Sequence, residues 1–162
     1  MNRQLLICIF VIALSWLGCR DSHNLSEAQR ATVAGGVKEM MATVSDSLKT
    51  KGPSAWLPYL QNSPEFKWEY KGVVSKYDAV VAGLQQQSLH YQSIAIVWDS
   101  VEIKPQTLDQ ALLSAKFSET SIKFGGEQST YVGSLNAKIV LSPGGWKFHS
   151  GQAIGQTLIP TK

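Results

Sequence analysis

The chain reads as an α+β domain, helices first and a long antiparallel sheet after them. Three observations carry this. Val33, Val37, Met40, Met41, Val44 and Leu48 recur at helical spacing, one apolar stripe over about four turns. From Tyr91 onward, four segments rich in β-branched and aromatic residues alternate with Gly and Pro turn signals, the pattern of consecutive strands joined by hairpins. No repeat or second composition regime interrupts residues 26–162, so one domain accounts for them.

Each element has a local reason. Ser26 is placed to cap the long helix, with Gln29 three residues on as in a capping box. Lys49, Lys51, Gly52 and Pro53 end it: cations in the last turn, then Gly, then Pro. Gly35 and Gly36 inside it read as tolerated losses, up to about 1 kcal/mol each relative to Ala. Ser54–Leu60 is a short helix or turn broken by Pro58. Phe66-Lys67-Trp68-Glu69-Tyr70 alternates aromatic and charged, a strand with one buried face. Lys71–Gly72 turns the chain, and Ser75 is expected to cap a third helix with Asp78 at its third position and Tyr77, Val80, Val81 and Leu84 facing in. Next comes a strand over Tyr91–Lys104. Its apolar parity switches from Ile94, Ile96 and Trp98 to Val101 and Ile103, which predicts a bulge near Asp99–Ser100. Strands over Gln110–Phe124, Thr130–Leu141 and Trp146–Ile154 follow, separated by Gly125–Gly126 and Pro143-Gly144-Gly145. Trp146 shares parity with Phe148 and is expected to anchor the core. His149 is then expected to face solvent.

The first residues carry an address. Arg3 precedes Leu5–Leu17, a charge-free apolar run of thirteen residues that ends at Gly18–Cys19. A spanning helix needs roughly twenty, so the segment reads as a secretory signal over 1–18. It resembles a bacterial lipoprotein signal, in which a small residue precedes the cysteine that is lipidated. That resemblance implies a lipidated Cys19, a tether over 19–25, and attachment on the periplasmic side of the envelope. Arg20, where inner-membrane lipoproteins have aspartate, favours the outer membrane. Acyl chains at about 0.8 kcal/mol per buried CH₂ would anchor such a protein stably.

Removing 1–18 leaves 144 of the 162 residues, enough for one real core. The mature charge is about +2 with scattered lysines, so nothing points to nucleic acid. Cys19 is the only mature cysteine, which excludes an intramolecular disulfide and a thiolate metal site. His23, His90 and His149 lack ligand spacing, so neither metal nor cofactor is expected.

Several short motifs, in order, resemble one superfamily. Ala55-Trp56-Leu57-Pro58-Tyr59-Leu60 with Pro64-Glu65-Phe66, then Tyr70-Lys71-Gly72, then Phe117-Ser118-Glu119-Thr120 with Gly125-Gly126-Glu127, then Gly144-Gly145-Trp146-Lys147-Phe148 are similar to segments of nuclear transport factor 2-like proteins, SnoaL-like cyclases and isomerases among them. The resemblance covers roughly residues 27–155. It implies a cystatin-like cone, a curved antiparallel sheet wrapped around the long N-terminal helix, with a pocket at its wide end. Many members have a histidine six residues after the tryptophan; this chain has Gln152. Members that hydrolyse epoxides use an Asp–Arg–Asp cluster, and no arginine follows Arg30.

Ketosteroid-isomerase-type chemistry would need a pocket carboxylate near a tyrosine. Glu119, which shares parity with Leu113, Ala115 and Phe117, and Asp99, at the expected bulge, are the candidates. The plainer reading makes both solvated. Trp56, Tyr59, Trp68, Trp98 and Tyr131 are candidates to line an apolar pocket, against the simpler reading that they are core. The expected role is therefore non-catalytic: binding a small apolar ligand, or serving as a homodimeric or partner-binding module. An isomerase or cyclase using Glu119 or Asp99 is the alternative.

Overall fold

A computed structural model describes residues 25–158. The expected signal over 1–18, Cys19 and the expected tether up to residue 24 lie outside the described residues. Helix α1 spans Glu27–Lys51. Its capping box is present: Ser26 Oγ accepts from the Gln29 backbone N–H at 3.2 Å, and Gln29 Oε1 accepts from the Ser26 N–H at 2.9 Å. Gly52 ends it at φ 56°, a left-handed conformation open to glycine, with its N–H on the Leu48 carbonyl. The chain runs straight into a 3₁₀ segment, Gly52–Tyr59.

Strands β1 (Lys67–Tyr70) and β2 (Val73–Ser75) form a small hairpin around Lys71 and Gly72, both at positive φ. Strand β2 was not expected, and it corrects the next helix start. Ser75 pairs with Trp68 in the sheet, so its backbone serves the ladder and not the helix. Helix α2, Tyr77–Ser88, is capped instead by Lys76 with no side-chain hydrogen bond, and Asp78 is its second residue. Tyr77, Val80, Val81 and Leu84 are half-buried against the core, as expected.

Four long strands follow: β3 Tyr91–Thr107, β4 Gln110–Lys123, β5 Gln128–Ser142 and β6 Gly145–Leu158. The sheet is curved and unclosed, in the order β2-β1-β6-β5-β4-β3. Every neighbouring pair is antiparallel except β1 and β6, which run parallel. Trp98 pairs with Phe117 and Ser100 with Lys116, so Asp99 is the extra residue of a bulge where the parity switch placed it. A second bulge corrects the reading of His149. Phe148 pairs with Ile139 and Ser150 with Lys138, leaving His149 unmatched in β6. The kink brings it back against the segment before β1, half-buried, with Nδ1 on Gln61 Oε1.

Helix α1 lies on the concave face, mainly along β3. Three contacts set its direction. Gly36 meets Trp146 beside the β5–β6 turn. Trp98 Nε1 donates to Ser45 Oγ at 2.9 Å near mid-sheet. Gly52 approaches the Tyr91 carbonyl at the start of β3. The apolar stripe of α1 closes on Leu113, Ile139, Phe148 and Phe66, all fully buried. Trp146 packs against this core but stays half-buried, so it is a rim residue and not the interior anchor expected.

Candidate functional site

Along β4 the inward positions run Ala111, Leu113, Ala115, Phe117, Glu119 and Ser121. The first four are buried apolar residues. Glu119 continues their parity onto the concave face, towards the end where α1 terminates. Its cross-strand partner is Tyr131; directly opposed side chains start about 5 Å apart. Glu119 is half-buried and makes no hydrogen bond among the described residues. Burial pushes its carboxyl above the ordinary value, because a desolvated carboxylate resists ionisation.

Tyr131 is held flat against the sheet. It sits over Gly133 and Gly155, which pair with one another; a Cβ on Gly155 would come 2.9 Å from Tyr131 Cζ. Glycine inside a strand marks such a close approach. The ring lies 5.9 Å from Phe117 and 6.3 Å from Tyr70, centroid to centroid. Phe117 in turn stacks edge-on with Trp98 at 5.8 Å. A row of four aromatic rings, Trp98, Phe117, Tyr131 and Tyr70, therefore crosses the concave face. The Tyr131 hydroxyl is out of solvent with no hydrogen-bond partner among the described residues. Its phenol is pushed up to about 12, first by burial, then by the neighbouring Tyr70 hydroxyl, and by Glu119. Beyond Glu119, the hydroxyls of Ser121 and Ser129 bond one another at 2.9 Å.

The remaining candidates are placed elsewhere. Asp99 points to the outer face, where it accepts from Ser118 Oγ at 3.1 Å, so the sheet separates it from Glu119. Trp56 and Trp68 both pack edge-on against the buried Phe148, at 5.5 and 5.8 Å. Tyr59 is half-buried on the same core. His149 has its pKa lowered by burial and then by Lys138. Gln152 lies on the outer face and donates to Glu69 Oε1 at 2.7 Å. An open hollow on that outer face, lined in part by Lys67, Leu112, Asn136, Lys138 and Gln152, does not include Glu119 or Tyr131. Among the described residues no three His, Cys, Asp or Glu converge as a metal site. Parity alone found Glu119 and its face. Tyr70 and the Ser121–Ser129 pair were missed, and the paired glycines under Tyr131 were the available signal.

No family model and no curated protein sequence matches the chain. Solved structures do. A candidate scytalone dehydratase from Novosphingobium aromaticivorans superposes with a TM-score of 0.72 at 13% identity, over 82% of this chain and 91% of that one. A nuclear transport factor 2-like superfamily protein from Salmonella enterica serovar Typhimurium gives 0.64 at 15%, over 82% and 94%. The fold is nuclear transport factor 2-like. A hexachlorocyclohexane dehydrochlorinase, LinA-type3, from Novosphingobium barchaimii is similar in the same way, with 0.62 at 9%, over 84% and 100%. Identities this low carry the likeness of fold and nothing finer. Within this nuclear transport factor 2-like cone, Glu119 and Tyr131 are the polar groups that the aromatic row surrounds.

Proposed function

We propose that the chain is an envelope lipoprotein whose nuclear transport factor 2-like domain binds a small, mostly apolar ligand at the concave face. Cys19 is the anchor on the periplasmic side, and Arg20 after it favours the outer membrane. One observation carries the ligand reading: the Tyr131 hydroxyl is buried and unpartnered beside an aromatic row. A buried polar group without a partner costs about 1–3 kcal/mol. A ligand that supplies the missing partner removes that cost, and the rings of Trp98, Phe117 and Tyr70 offer it apolar contact. The test is native mass spectrometry of protein extracted from its own envelope. A small molecule bound to the wild type and depleted in Tyr131→Phe is the expected result; an unliganded wild type counts against the reading. The anchor is tested separately. Cys19→Ser should release the protein from the membrane fraction and lower its mass by the acyl groups.

A second reading is acid–base catalysis, as in a SnoaL-like isomerase or cyclase. The observation favouring it is that Glu119 has a raised pKa on the same face as a phenol, the kind of perturbed pair that active sites use. Two of the similar structures carry the names of a dehydratase and a dehydrochlorinase. If Glu119 moves protons, Glu119→Gln should bind the co-purifying molecule and no longer convert it.

A further inference from the structure

We propose that the domain stands on the lipid surface by its β3–β4 and β5–β6 turns, so that the Glu119–Tyr131 face opens away from the membrane. The inference rests on the lipid-anchor reading of Cys19 and adds an orientation to it. The direction of α1 carries the argument. Gly36, the tenth of its 25 residues, touches Trp146. Trp146 pairs with Leu141, whose N–H bonds the Asp109 carbonyl at 2.8 Å across the two turns. At its other end, Gly52 approaches the Tyr91 carbonyl. So α1 runs from the end of the sheet that carries the two turns towards the start of β3.

Lengths then exclude the inverted orientation. From Cys19 to Ser26 the chain spans at most about 25 Å when fully extended, at 3.3–3.6 Å per residue. Helix α1 has 25 residues and is about 37 Å long. An inverted domain would lift Ser26 about 37 Å from the bilayer, farther than the tether reaches. The turns-down orientation needs no stretching. It also buries two exposed leucines at that end, Leu108 and Leu141, each 48% exposed. Exposure alone would choose the wrong end, since Leu89 and Phe124 at the far end are each 67% exposed. Charges near the turns are mixed, with Lys104 paired to Glu102 and Asp109 nearby, so the contact does not call for anionic lipid. Glu119 sits nine residues along β4 from Gln110, about 30 Å from the turns.

The experiment uses the full, acylated chain in phosphatidylcholine vesicles that carry nitroxide-labelled acyl chains. With Cys19 blocked by its thioether, Leu108→Cys, Leu141→Cys and Phe124→Cys each accept one thiol-reactive fluorophore. Labels at 108 and 141 should lose most of their emission to the nitroxide, and the label at 124 should keep it. Quenching at 124 as strong as at 108 overturns the orientation. So does a lack of quenching at all three positions while the protein floats with the vesicles. A protein that carries no acyl mass and does not float overturns the anchor reading, and the orientation falls with it.

Discussion

Gly36 in α1 and Trp146 at the start of β6 are in direct contact: a Cβ built on Gly36 would lie 2.4 Å from Trp146 Nε1 and 3.0 Å from Cδ1. The indole is a rigid ring, so it cannot yield by bending a flexible tip. The neighbouring Gly35 has nothing within 4 Å of the same position. Two adjacent glycines on one helix therefore have different reasons to be there. Gly36 admits the tryptophan; Gly35 is the tolerated loss that helix propensity describes.

Gly36→Ala and Gly35→Ala should accordingly shift stability in opposite directions. At Gly35 the alanine meets open space and should stabilise by about 0.5–1 kcal/mol. At Gly36 the clash should outweigh that gain and leave a net loss of about 1–2 kcal/mol, within the usual range for overpacking. Urea denaturation of the two variants gives the signs directly. A stabilised Gly36→Ala would mean that α1 and β6 do not meet as described.

The contact also shows why much of the fold was legible in the sequence and part was not. The stripe from Val33 to Leu48, the bulge at Asp99 and the inward aim of Glu119 all follow from local periodicity, which a single strand or helix displays by itself. The role of Gly36 depends on a residue 110 positions away, and no local pattern announces that. The same holds for the parallel pairing of β1 with β6 and for β2, which exists because the Lys71–Gly72 turn folds Ser75 back onto Trp68. His149 was misread because a bulge breaks parity, and only the pairing of Phe148 and Ser150 reveals it. At the site, Glu119 was visible by alternation, while the Tyr131 hydroxyl is orphaned by how its ring lies over two glycines of different strands.

Trp146→Ala should cost about 2–3 kcal/mol, less than the 3–5 kcal/mol of a fully buried tryptophan, because the residue is half-buried. In that background Gly36→Ala should turn favourable, since the ring it collides with is gone. The coupling measured by the double-mutant cycle should be at least about 1 kcal/mol. Additive effects would show that the two residues are independent.

Glu119 makes stability fall as pH rises. Its folded pKa lies above the ordinary 4.5, so between 4.5 and the folded pKa the folded protein holds a proton that the unfolded chain has released. The stabilisation is complete below about 4.5 and is lost as pH climbs through the folded pKa. Glu119→Gln should therefore be more stable than wild type at pH 7 and near-equal at pH 4, as read by denaturation at the two values. A wild type that is the more stable at pH 7 would indicate that the carboxylate is ionised and paired.

Gly155 leaves room for nothing larger. A Cβ there would come 2.2 Å from the Val132 carbonyl and 2.7 Å from Gly133 Cα, as well as against the Tyr131 ring. Backbone cannot move aside as a side chain can. Gly155→Ala should cost about 2–3 kcal/mol or more and shift the Tyr131 ring resonances. Native-like stability with unchanged ring shifts would remove the glycine pair as the reason for the tyrosine's pose.

Tyr131→Phe separates stability from binding. Its hydroxyl is buried and unpartnered, so deleting it removes a polar group that the fold leaves unsatisfied. The ligand-free variant should match or exceed the wild type by up to about 1 kcal/mol, since losing an unmade hydrogen bond costs nothing. The aromatic contacts with Phe117 and Tyr70 survive in phenylalanine. Binding should move the other way: the ligand that pairs with the hydroxyl loses a hydrogen bond, and affinity should fall about tenfold, which corresponds to 1.4 kcal/mol. A tyrosine whose phenol ionises near about 12 in the ligand-free protein, followed by ultraviolet absorbance, would show the same desolvated environment without mutation. If Tyr131→Phe instead loses 2 kcal/mol or more of stability, the hydroxyl already has a partner within the fold. The hydroxyl would then have no free hydrogen-bonding capacity to offer a ligand.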